Sequence, residues 1–91
     1  MRFVVSGRSM EPAFSSGQIL LVSFLPYLFQ SPKIRDVVVM KDPRNGKFLL
    51  KRIIQINQEK YFVEGDNKKE STDSRVFGLL DKKNIVGKVL L

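Results

Sequence analysis

The sequence predicts an all-β fold, mainly antiparallel, with at most one or two short helical turns. Two observations predict it. Runs rich in Val, Ile, Leu and Phe recur at strand length, and clusters of Gly, Pro, Asn and Asp fall between them. Helix is scarce, because only Met10–Ser15 and Ser74–Leu80 have room for a turn or two.

Arg2–Val5 reads as the first strand, and Pro12 suits the first turn of the helical piece that follows it. Gln18–Phe24 is the second strand. Asp36–Lys41, Lys47–Ile56 and Lys60–Glu64 come next, joined by Pro43-Arg44-Asn45-Gly46 and by Asn57-Gln58-Glu59. Both connections have hairpin chemistry, so Val37 to Val63 is expected to form a three-stranded antiparallel meander. Ile85–Leu90 closes the chain as a last strand. No repeat, linker or Pro-rich tail interrupts it, and residues 1–91 read as one domain with a thin core, roughly 60% of the unfolded surface being buried at this size.

The chain has no histidine and no cysteine. That removes Ser-His-Asp triads, Cys-His dyads, disulfides and every thiolate or imidazole metal site. Lysine is then the expected base for any nucleophilic catalysis, and no metal or organic cofactor is implied. The 16 Lys and Arg against 9 Asp and Glu leave a net charge of +7, which suits nucleic acid, an anionic membrane or an acidic protein alike. The positive residues are dispersed, densest at Lys68-Lys69 and Lys82-Lys83, and no recognition helix or stacking motif accompanies them. No nucleic-acid partner is expected.

Met1 to Ser6 runs straight into the serine motif, without a charged region followed by an apolar one, so a signal peptide is not expected and a cytoplasmic location is. The longest apolar stretch, Ile19 to Phe29, is broken by Ser23 and Pro26 and falls short of the ~20 residues that span a bilayer. Its Phe24, Leu25, Tyr27, Leu28 and Phe29 form an apolar patch with two readings, a cover for the core or a peripheral membrane contact.

Three segments carry possible chemistry. Ser9 lies in Ser6-Gly7-Arg8-Ser9-Met10-Glu11-Pro12, where it is either a nucleophile or a cap of the next turn. Lys51 lies in Phe48-Leu49-Leu50-Lys51-Arg52-Ile53-Ile54, where alternation places Leu49, Lys51 and Ile53 on one face and Leu50, Arg52 and Ile54 on the other. It is a base if that face is buried and a rim lysine otherwise. With a pKa of ~10.4, a solvated lysine is neutral in roughly one molecule in 2,500 at pH 7. A lysine base therefore needs an apolar site that lowers this pKa by ~2 or more, at a cost to the ammonium of ~3 kcal/mol. The third segment, Glu64 to Arg75, packs small polar and charged groups into a glycine-led loop that reads as a site support or as a tight turn with a local Asp73–Arg75 ion pair.

In order, Gly-x-Ser-Met-x-Pro at Gly7–Pro12, Lys51-Arg52, and Gly-Asp-Asn-x-x-x-Ser-x-Asp-Ser-Arg at Gly65–Arg75 resemble the type I signal peptidase family of Ser-Lys endopeptidases. Asp36-Val37-Val38-Val39, Phe77-Gly78 and Ile85-Val86-Gly87 extend the resemblance over nearly the whole chain. It implies a signal peptidase/LexA-like β-fold, shared with self-cleaving repressors, as a single Ser-Lys peptidase domain. It makes Ser9 the nucleophile and Lys51 the general base, with the oxyanion hole at the Ser9 N–H and at the position of Gly7. Some family members carry at that position a serine whose hydroxyl helps. Ser71 matches a serine that orients the lysine, Asp73 and Arg75 match an ion pair that shapes the loop, and Asp66 is expected to set its turn. Pockets for small side chains before the cut are implied at Val4, Val5, Met10, Leu49 and Leu50. One departure stands in the second motif, where Ile34-Arg35-Asp36 lacks the family's usual glycine before the aspartate.

Only 13 residues separate Lys51 from Gly65, leaving no room for the large β-domain that many family members insert there. The resemblance thus implies a minimal catalytic core without the family's membrane helix, most like the small soluble proteases that mature nickel-type superoxide dismutase. The expected partner is a protein precursor with an N-terminal leader. Signal peptide removal at a membrane surface is the first alternative, and a non-catalytic basic β-module that binds nucleic acid is the second.

Overall fold

The computed structural model describes residues 1–90. Six strands form one antiparallel sheet: β1 (Arg2–Val4), β2 (Ile19–Ser23), β3 (Val37–Lys41), β4 (Phe48–Asn57), β5 (Lys60–Glu64) and β6 (Ile85–Val89), in the order β1-β2-β6-β3-β4-β5. Every pairing is antiparallel. The all-β expectation and the meander of β3, β4 and β5 both hold, with strand ends within two residues of those read from sequence.

The central strand explains the architecture. Val38, Val39 and Met40 of β3 are all fully buried, so the sheet is covered on both faces and β3 reads as a continuous apolar run. On one face Val38, Met40, Ile53, Val63 and Ile85 pack beneath Tyr27 and Leu80. On the other, Val39 and Leu50 meet Val5, Met10, Leu20 and Val22. β1 stands four places from β4 in the sheet order, yet Val5 and Met10 share a cluster with Leu50. The sheet therefore curls, which brings the loop after β1 over the first half of β4.

The helical pieces differ from expectation. Met10–Ser15 makes turns with one α-type bond, Phe14 N–H to the Met10 carbonyl at 2.9 Å, and no helix. Met10 is nonetheless buried in the core from within these turns. Ser74–Leu80 shortens to α2 (Ser74–Phe77), capped by the Asp73 carboxylate, which accepts the Arg75 N–H. Leu80 leaves the helix to pair with Tyr61. A helix the sequence did not predict, α1 (Pro26–Phe29), starts on a proline and buries Tyr27, whose hydroxyl donates to Asp36 at 2.6 Å.

The missing glycine before Asp36 leaves a mark on the backbone. Arg35 adopts φ +81°, a left-handed conformation that costs a residue with a Cβ about 1–2 kcal/mol. Its N–H is held by the Ile53 carbonyl at 2.7 Å and its own carbonyl by Arg52 at 3.1 Å, so the strain cannot relax. Arg35→Gly is expected to stabilise the fold by up to about 1 kcal/mol after the extra unfolded-state entropy of glycine, or about 4–8 °C in Tm. Thermal unfolding checks this; a lower Tm would mean that the arginine side chain outweighs its backbone.

Candidate active site

β4 carries Lys51 opposite Val38 of β3, one residue before the pairing with β5 begins at Arg52 and Glu64. On its open side β4 from Phe48 to Lys51 therefore has no β5 partner. Lys51 is 3% exposed and shares its face with Leu49 and Ile53, as alternation predicted. Its ammonium nitrogen lies 3.0 Å from Ser71 Oγ.

Ser71 stands at the centre of a short relay. Its hydroxyl donates to Asp73 Oδ2 at 2.6 Å, which leaves the oxygen to accept from Lys51 Nζ and from the Gly65 N–H at 3.1 Å. Asp73 is fully buried and accepts in addition the Gly65 N–H at 2.9 Å and Arg75 through Nε at 2.9 Å and Nη2 at 3.1 Å. Burial alone would raise the Asp73 pKa, but the hydrogen bonds from Arg75, Ser71 and Gly65 outweigh it and hold the carboxyl at about 2. Asp73 is thus ionised at any working pH. Burial lowers the Lys51 pKa, opposed by the Asp73 carboxylate and aided by the Arg75 guanidinium. The direction is the one a lysine base needs.

Gly65 has to be glycine for a packing reason. A Cβ there would collide with Ser71 Oγ and lie 2.6 Å from both Ser71 Cβ and the Ser9 carbonyl oxygen. The next two residues continue the contact: the Asp66 N–H points at Met10 Sδ at 3.4 Å and the Asn67 N–H donates to the Ser9 carbonyl at 2.8 Å. Asp66 itself is gripped by Arg52 through two bonds of 2.9 Å, which ties the loop to β4. The Arg52 clamp and the seam between Gly65–Asn67 and Ser9–Met10 were missed by sequence reasoning. Their only sequence signal is the position of Arg52 directly after Lys51.

Ser9 and Lys51 line one cleft of about 200 Å³, together with Phe3, Val5, Ser6, Met10 and the stretch Lys47–Leu50. Of the expected pocket residues, Val5, Met10, Leu49 and Leu50 are there. Val4 is not: Val5 is buried, so the alternation of an extended chain turns Val4 outward, 58% exposed. Phe3 and Phe48 join the lining instead. Gly7 has φ +83° with nothing within 4 Å of a Cβ, so a serine here would have room but would carry the left-handed strain of about 1–2 kcal/mol.

The arrangement places the Ser9 hydroxyl and a buried amine on the lining of one largely apolar cleft. A family model described as "Signal peptidase, peptidase S26" matches residues 1–57 and 54–91. Among curated proteins, signal peptidase I V of Bacillus subtilis (strain 168) is 29% identical over a 136-residue alignment covering 93% of this chain and 80% of that protein. Probable signal peptidase I-1 of Synechocystis sp. is 28% identical, covering 90% of this chain and 65% of that protein. The mitochondrial ATP-independent inner membrane protease subunit 1a of Arabidopsis thaliana is 30% identical, covering 96% and 66%. The chain thus spans just under two thirds of the last two relatives.

Proposed function

The chain belongs to the signal peptidase family, peptidase S26, and from that premise we propose that it is a serine endopeptidase with Ser9 as nucleophile and Lys51 as general base. The observation that carries the reading is the burial of Lys51, whose Nζ is held by Ser71 in the cleft that Ser9 also lines. Neutral Lys51 takes the Ser9 proton as Oγ attacks the scissile carbonyl, and the ammonium then protonates the leaving amine. In the second half, Lys51 takes a proton from the water that hydrolyses the Ser9 ester. The Ser9 N–H is one donor to the developing oxyanion, a contribution commonly worth ~3 kcal/mol. Ser71, Asp73 and Arg75 are positioning residues, and Asp66 holds the turn.

The substrate is a protein precursor whose N-terminal leader lies extended along Phe48–Leu50, with small side chains over Val5, Met10, Leu49 and Leu50. Nickel-type superoxide dismutase precursor is the finer assignment, supported by the short span from Lys51 to Gly65, which the β4–β5 hairpin fills. Removal of signal peptides at a membrane surface is the second reading, favoured by one observation: Leu25, Leu28 and Phe29 are 65%, 62% and 85% exposed at α1. Phe24 and Tyr27 cover the core, so the apolar patch is narrower than the sequence suggested. Among the described residues no helix is long and apolar enough to cross a membrane.

Incubation with a nickel superoxide dismutase precursor and a secretory precursor, read by mass spectrometry, tests both. One precursor should be cut by wild type and neither by Ser9→Ala, with vesicle dependence confined to the membrane reading. Unchanged cleavage by Ser9→Ala would remove the serine mechanism.

A further inference from the structure

A shallow, open groove of about 560 Å³ lies between Glu11-Pro12 and the loop Asp66–Lys69. Its two walls are joined to the proposed nucleophile itself, since Asn67 binds the Ser9 carbonyl and Asp66 contacts Met10. Ser9 therefore stands between the cleft and this groove. A peptide whose upstream residues run along Phe48–Leu50 must leave past Ser9 on the other side, over Glu11-Pro12 and Lys68-Lys69.

The charge there is uneven. The Asp66 carboxylate is neutralised by Arg52 at 2.9 Å, which leaves Glu11 as the acid on one wall against two lysines on the other. Lys68 is 72% exposed, and its contact with Glu64 is loose at 3.8 Å. The lysines sit on a single 3-10 turn, Lys68–Glu70, whose first carbonyl is held by Arg75 at 2.9 Å and which leads directly into Ser71. The Asp73–Arg75 pair that supports Ser71 thus also fixes this turn at the mouth of the site.

We infer that Lys68 and Lys69 are specificity-determining residues for the leaving side of the substrate, selecting an acidic side chain within the first four residues after the cut. The inference rests on the proposed peptidase reading. An extended chain advances ~3.3 Å per residue, so the first four residues after the cut reach ~13 Å beyond Ser9. One or two solvent-exposed ion pairs give a preference of about three- to tenfold in kcat/KM for Asp over Lys, weakening with salt.

The test uses internally quenched peptides with Ala at the first and third positions before the cut and Asp, Asn or Lys scanned through the four after it. Wild type should favour Asp. K68E/K69E should favour Lys, and K83E, an equal reversal per site outside the cleft and the groove, should keep the wild-type order. Cleavage indifferent to these charges, or an order that K83E reverses equally, overturns the inference and leaves the peptidase intact. Failure of wild type to cut any peptide or either precursor overturns the peptidase reading, and the inference with it.

Discussion

Lys51→Met is expected to abolish cleavage and to make the protein more stable. Losing the proposed base removes the proton acceptor, and groups that act as a catalytic unit are each as damaging to lose singly as jointly, so activity should fall about 10⁴-fold. The stability gain has a separate origin. Lys51 is buried with its ammonium against one neutral hydroxyl, and a methionine of similar length fills the same space without desolvating a charge. Ser71 Oγ keeps partners in Gly65 and Asp73, so nothing is orphaned. About 1–2 kcal/mol is the expected gain, and about 4–8 °C in Tm per kcal/mol.

The sign of the pH dependence follows from the lowered pKa. Between the folded-state pKa and the ordinary ~10.4, the unfolded chain holds a proton that the folded chain has lost, so wild-type stability rises with pH across that window. Below it the full penalty of the buried ammonium is present. Lys51→Met has no such group, and its advantage should be largest below the folded-state pKa of Lys51 and shrink as pH rises toward the ordinary ~10.4. Cleavage by wild type should rise along the same lowered limb. A variant less stable than wild type at pH 7 would contradict the burial penalty, and residual cleavage would contradict the lysine base.

Individual residues show what was readable in the sequence and what was not. β3, β4 and β5 were legible because period-2 alternation and Asn/Gly turns are local properties, and Lys51 was placed on the correct face by them. The four residues of α1 were not, since they are held by Tyr27 reaching Asp36 nine positions away and by core burial. Lys51, Ser71, Asp73 and Arg75, singled out through ordered motifs, are joined by hydrogen bonds, and Ser9 shares a cleft with Lys51. The seam between Ser9–Met10 and Gly65–Asn67 exists only after the sheet curls, and no local pattern encodes it. Val4 was misplaced for a related reason: in a strand of three residues, only the packing of Val5 on Leu50 says which face turns inward.

That seam makes Gly65→Ala the second variant with a large expected effect. The new Cβ would overlap Ser71 Oγ and lie 2.6 Å from Ser71 Cβ and from the Ser9 carbonyl oxygen, so something must move. If Ser71 rotates away, it leaves Lys51 and Asp73. If Ser9 yields, the bond from Asn67 breaks and the proposed nucleophile shifts with its backbone. Either route displaces groups of the proposed site by a large part of an ångström, enough to lower kcat about 10²-fold, while KM should change less because Phe3, Val5 and Phe48–Leu50 of the cleft lining are not touched by the new Cβ. Overpacking should also destabilise the fold by about 1–3 kcal/mol. Ser71→Ala in the same chain removes the worst overlap but not the contacts at 2.6 Å, so the double variant should regain part of the stability and none of the activity. Wild-type kcat in Gly65→Ala would mean that the contact between the glycine loop and Ser9 does not set the geometry of the site.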